Sequence, residues 1–124
     1  MSTYAYIGCR TTKERNARGK GIRVYEIENG EWKLRQIAEG QVNPSYLCLN
    51  EKQDRLYAIH GDFSEVSAYK VAEDGTLTYQ NTTETHGTNP VHLTIDRTGK
   101  WLFVANLQTG GVSVIPIEKD GSLG

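Results

Sequence analysis

Long apolar runs are missing from this chain of 124 residues. No segment approaches the ~20 consecutive apolar residues of a membrane helix, and Met1-Ser2-Thr3-Tyr4 does not lead from a basic stretch into an apolar one. Neither a membrane span nor a signal peptide is therefore expected, and a cytoplasmic location is the default. Cysteine is scarce as well. Cys9 and Cys48 are too few for a disulfide framework and lack metal-ligand spacing, so both read as free thiols in a reducing compartment. Neither sign of charge is in excess: 14 Lys and Arg against 15 Asp and Glu leave a formal net charge of −1, which gives no electrostatic reason to expect nucleic acid. There is no Gly-x-Ser-x-Gly elbow, no nucleophilic-cysteine context and no glycine spacing of a phosphate-cradling loop before a helix. Only three prolines occur, whereas 13 glycines and 7 tyrosines suit short strands joined by tight turns.

What the chain has instead is a repeat. Residues 43–78 align with residues 89–124 without a gap, at a spacing of 46. Asn43-Pro44 returns as Asn89-Pro90, Leu47 as Leu93, Leu56 as Leu102, Val66-Ser67 as Val112-Ser113, Asp74-Gly75 as Asp120-Gly121 and Leu77 as Leu123. Tyr57 returns as Phe103 and Val71 as Ile117, which keeps size and apolarity. A period in this range filled with short strands points to a propeller or solenoid. Residues 46–49, 55–59, 65–72 and 76–85 read as four strands, with Pro44 marking the entry of the first and Asp74-Gly75 turning the third into the fourth. Four antiparallel strands per unit is a β-propeller blade, since β-helix coils are shorter and pair in parallel. Upstream, residues 3–7, 21–27 and 32–37 read as three more strands, the last two joined at Asn29-Gly30. The expected fold is all-β, about two and a half blades. Residues 1–42 form a blade without its inner strand, 43–88 a complete blade, and 89–124 a blade without its outer strand. Uncovered blade faces and unpaired edges predict a truncated chain, with self-association through the open blade edges as the alternative.

Strand order sorts the loops onto two faces. One carries short polar turns at residues 29–30, 50–54, 74–75, 96–99 and 120–121, and reads as plain. The other carries residues 10–20, 40–44, 60–64, 86–90 and 106–110, with all three histidines on or beside it, and is where a site at the channel mouth is expected. The 10–20 stretch, with Arg10, Lys13, Arg15, Arg18 and Lys20 against Glu14, is either a solvated surface loop or an electropositive lid for an anionic substrate. His92, at the entrance of an inner strand where the preceding unit has Tyr46, is a candidate general base or acid, or else a histidine that bonds a neighbouring blade. His60, matched in the repeat by Asn106, ends a second strand on the same face. His86, in a polar turn, reads as solvated. The three histidines lack the close spacing of a metal signature.

These residues also carry a family resemblance. Tyr6-Ile7-Gly8, Gly21-Ile22-Arg23-Val24-Tyr25, Asn43-Pro44-Ser45-Tyr46-Leu47, Arg55-Leu56-Tyr57-Ala58, Asn89-Pro90-Val91-His92-Leu93, Trp101-Leu102-Phe103-Val104-Ala105-Asn106 and Val112-Ser113-Val114 together resemble the start of the seven-bladed propeller lactonases, the group of propeller-type 6-phosphogluconolactonase and the carboxymuconate cyclase fold. The resemblance implies hydrolysis of an anionic sugar lactone, 6-phosphogluconolactone to 6-phosphogluconate, without cofactor. By matching positions it places His92 on the family's Pro-x-His as the catalytic candidate and Asn106 on the asparagine closing the second strand. Arg10, Arg18, His60 and Asn106 are the residues expected to contact substrate, the two arginines by their charge. The competing class is a non-catalytic propeller that binds a peptide or protein on its channel face.

Overall fold

The computed structural model describes residues 3–12 and 19–124, and every helix or strand assigned among them is a β-strand. β1 (Thr3–Ile7), β2 (Ile22–Glu28) and β3 (Glu31–Ala38) form one antiparallel sheet. β4 (Pro44–Leu49), β5 (Arg55–His60), β6 (Glu65–Val71) and β7 (Leu77–Glu84) form the second. β8 (Pro90–Ile95), β9 (Trp101–Asn106) and β10 (Val112–Pro116) form the third. Strand order follows chain order in all three, the meander of propeller blades. A lone bridge, Ile117 to Leu123, closes a turn after β10 as Val71 and Leu77 do after β6. Asn29 and Gly30 both take positive φ, 52° and 79°, the left-handed pair that a two-residue hairpin needs.

Burial explains why the middle sheet breaks the apolar-polar alternation. Every residue from Leu56 to His60 is buried, because the sheet has a neighbour on each side. Leu56 and Ala58 pack with Ile22, Val24, Tyr69 and Leu77 against the first sheet, while Tyr57 and Ile59 pack with Leu93, Leu102, Val104 and Leu123 against the third. Each of the valine, leucine and isoleucine side chains contributes about 1.5–3 kcal/mol by leaving water.

Polar contacts set how the blades dock, and they recur with the repeat. The Tyr6 hydroxyl donates to the Gly75 carbonyl at 2.7 Å, and the Tyr57 hydroxyl donates to the Gly121 carbonyl at 2.7 Å. The Gln36 side chain donates to the Leu77 carbonyl and accepts from its N–H, at 2.9 and 2.7 Å; Asn81 does the same to Leu123, at 2.8 and 3.0 Å. An amide side chain thus imitates a strand neighbour and caps the start of the next blade's outer hairpin. Asn81→Ala removes both bonds to Leu123 and is expected to lower stability by about 1–2 kcal/mol in urea unfolding, at ~1 kcal/mol per bond. An unchanged midpoint would show that the clamp adds nothing.

Candidate functional site

The two innermost strands, β4 and β8, enter their sheets by the same backbone device. Asn43 and Asn89 sit in the left-handed region, at φ 44° and 56°, and the following prolines are buried at the first pairing position. The register then slips between Pro44 and Tyr46 and between Pro90 and His92, so Tyr46 opposite Ile59 and His92 opposite Ala105 occupy equivalent places. Both side chains are exposed, Tyr46 at 41%. Their rings meet across the blade boundary with centroids 4.7 Å apart and planes inclined at 47°.

Arg10 reaches the same entrance from the first blade. Its Nη1 lies 2.9 Å from Asp62 Oδ2 in the β5–β6 loop, and both side chains are about one-third exposed or less. The Asp62 N–H donates to Asn89 Oδ1 at 2.9 Å, which ties that loop to the entrance of β8. Gly61 leaves room for the approach: a Cβ there would stand 2.6 Å from Arg10 Nη1 and 2.8 Å from Ser45 Oγ. The guanidinium therefore sits beside Ser45, one residue before Tyr46. A cation and a hydroxyl thus meet at Gly61, and an aromatic ring meets an imidazole across the starts of the two inner strands. Such a set can bind an anion, pack against a ring and accept a proton.

A family model, Lactonase, 7-bladed beta-propeller, matches residues 4–124. The chain belongs to the seven-bladed β-propeller lactonase family. It is 30% identical over 123 residues to a 6-phosphogluconolactonase of Bacillus subtilis (strain 168), covering 95% of this chain and 35% of that one. A 6-phosphogluconolactonase of Yersinia pestis (strain Pestoides F) is 36% identical over 104 residues, or 81% of this chain and 30% of that one. A solved structure from Bacteroides fragilis NCTC 9343, provisionally named a 6-phosphogluconolactonase, superposes with a TM-score of 0.87 at 32% identity, over 99% of this chain and 34% of that one. The chain spans about a third of the length of these relatives.

Within this lactonase-family chain the other expected site residues lie elsewhere. His60 is 3% exposed. Its Nδ1–H donates to the Val42 carbonyl, and its Nε2 accepts from Ser67 Oγ at 2.6 Å. Thr82 Oγ1, 2.7 Å from Ser67 Oγ, and the Tyr79 hydroxyl, 2.7 Å from Thr82, continue the chain of hydroxyls. Asn106 is 4% exposed; it donates to Ser113 Oγ at 3.0 Å and accepts from Thr85 Oγ1 at 3.2 Å. His60 with Ser67 and Asn106 with Ser113 are one motif in two blades, joining the end of a second strand to the third. Arg18 lies outside the described residues, as do Lys13 and Arg15. His86, at φ 62°, is exposed on a groove of about 540 Å³ that also touches Glu84, Asn106 and Ser113. The face read as plain also has a groove, about 460 Å³ between the second and third blades, whose mixed charges, Lys52, Arg55, Arg97 and Lys119 among Glu51, Asp54, Asp96 and Glu118, favour no one sign of ligand. Among the described residues no three His, Cys, Asp or Glu gather as metal ligands.

Burial holds the His60 pKa below the ordinary 6.5, against smaller upward pulls from the Val42 carbonyl and Glu65. The unfolded chain therefore protonates first. Stability from this group is complete above about pH 6.5 and is lost as pH falls toward the folded-state pKa. His60→Asn, the residue the next blade uses, is expected to flatten the pH dependence of the urea midpoint below about pH 6.5. An identical slope in the variant would assign the dependence to other groups.

Proposed function

We propose that the protein acts as a lactonase on an anionic sugar lactone, with 6-phosphogluconolactone as substrate and 6-phosphogluconate as product. The observation that carries this reading is the exposed His92 in ring contact with Tyr46 at an inner-strand entrance, in a chain whose matched relatives are named 6-phosphogluconolactonases. In the proposed reaction His92 takes a proton from water as the oxygen attacks the lactone carbonyl. The carbonyl pair moves onto oxygen, the tetrahedral centre collapses, and the ring C–O bond breaks. The proton returns to the leaving ring oxygen, giving the open hydroxy acid. Arg10 supplies positive charge for the phosphate or the developing oxyanion, its guanidinium exchanging part of its contact with Asp62 for the ligand.

The test is hydrolysis of 6-phosphogluconolactone by the complete gene product, followed by proton release against the spontaneous rate, with the unphosphorylated lactone alongside. Faster opening of the phosphorylated lactone supports both parts of the proposal. Equal rates on the two lactones would remove the phosphate from it. Saturable binding with no turnover would move the protein to the class of non-catalytic binding propellers.

A further inference from the structure

We infer that Tyr46 is a positioning residue for His92, its ring fixing the plane of the imidazole at the mouth of the channel. The inference rests on the reading of His92 as the reacting base. Three observations carry it. The two residues stand at the same repeat position of adjacent inner strands, each the first paired residue after a register slip. That backbone is held by a left-handed asparagine and a buried proline on both strands, so the ring bases are fixed before the rings meet. The rings then meet at 4.7 Å with their planes tilted by 47°, and the imidazole is otherwise exposed.

An exposed histidine on a strand would turn freely about its outer side-chain bond, and each wrong ring plane aims the nitrogen lone pair away from the attacking water. Contact with an aromatic face removes most of those orientations without consuming a ring nitrogen in a hydrogen bond. The nitrogen thus stays available for a proton. Histidines that use a carbonyl or carboxylate for orientation lose one nitrogen to it, as His60 loses Nδ1 to Val42. The Tyr46 hydroxyl makes no hydrogen bond to any described residue, so the ring and not the hydroxyl is the working part.

The structure therefore separates two substitutions. In the complete gene product, Tyr46→Phe is expected to keep kcat and KM for the phosphorylated lactone within about twofold, whereas Tyr46→Ala lowers kcat about tenfold with KM within about twofold. The double variant Tyr46→Ala with His92→Ala should be no slower than His92→Ala alone, because a positioning residue has nothing left to position. In parallel, the imidazole proton resonances of His92 should keep their ring-current shift in Tyr46→Phe and move toward free-histidine values in Tyr46→Ala. A kcat unchanged in Tyr46→Ala while the ring-current shift is lost would overturn the inference. So would a loss confined to KM, which would make Tyr46 a substrate contact. If neither the wild type nor any variant opens the lactone, the functional reading fails by itself, and the resonances alone decide whether Tyr46 holds the ring.

Discussion

Substituting His92 by alanine is expected to lower kcat/KM for lactone opening by a factor of about 10² or more, the range for loss of a general acid–base group, with the melting temperature nearly unchanged. Both halves follow from its placement. The side chain is exposed on β8 and, among the described residues, its ring meets that of Tyr46 and makes no hydrogen bond, so truncation leaves no cavity and orphans no buried polar group. The ring contact itself is worth about 0.5–1.5 kcal/mol when buried and less in water. His60→Asn is the control: it alters a buried ring far more closely bonded than His92, so it should move stability and its pH dependence while sparing the chemistry. Arg10→Gln should raise KM more than it lowers kcat, since a charge that binds phosphate acts on ground and transition states alike. Were His92→Ala as active as the wild type, the base would have to be sought elsewhere in the protein, and the entrance formed by β4 and β8 would be a passage only.

The repeat made much of this legible, and its limits mark where physical detail takes over. The 46-residue spacing sorted the loops by face, and it put Tyr46 and His92 at one position because both follow Asn-Pro. It also set His60 on the same face, yet could not say which way the ring turns. His60 and Asn106 close their strands beneath the incoming loop, where a polar tip finds a carbonyl or hydroxyl. A signal for this was present: Ser67 and Ser113 repeat together with that histidine and asparagine, a paired motif that a solvent-facing residue would not need. The Asp-Gly turns lie on the face that reads as plain, but their glycine carbonyls also receive Tyr6 and Tyr57 hydroxyls from the preceding blade. Such long-range pairing, across 69 and 64 residues, leaves no local pattern. The charge of the long basic stretch was equally plain in the sequence, while the partner of Arg10 was not, because Asp62 lies 52 residues away on a turn of ordinary composition.

The proline of each Asn-Pro pair signalled a strand entry, but the asparagine bears the larger share of the structure, and Asn43→Ala is expected to cost about 3 kcal/mol or more in urea unfolding. Asn43 is fully buried. Its Oδ1 accepts from the N–H groups of Thr11 and Thr12 at 2.7 and 3.3 Å, and its Nδ2 donates to the Gly61 carbonyl at 3.0 Å. One side chain thus joins the first blade's loop to the second blade's β5–β6 turn. Alanine would leave those three backbone groups short of a partner inside the protein and would still have to hold φ near 44°, a conformation that costs an ordinary residue about 1–2 kcal/mol. Asn43→Gly isolates the two effects, since glycine takes the backbone without strain and loses only the hydrogen bonds; it should fall between alanine and wild type. Asn89 supplies the internal comparison. It holds φ 56° but, among the described residues, its side chain has a single partner, the Asp62 N–H, so Asn89→Ala should cost less than Asn43→Ala by about the worth of one to two bonds. The reverse order, or a loss under about 1 kcal/mol at Asn43, would mean that the blades are held by their apolar faces and that the asparagine staples only follow.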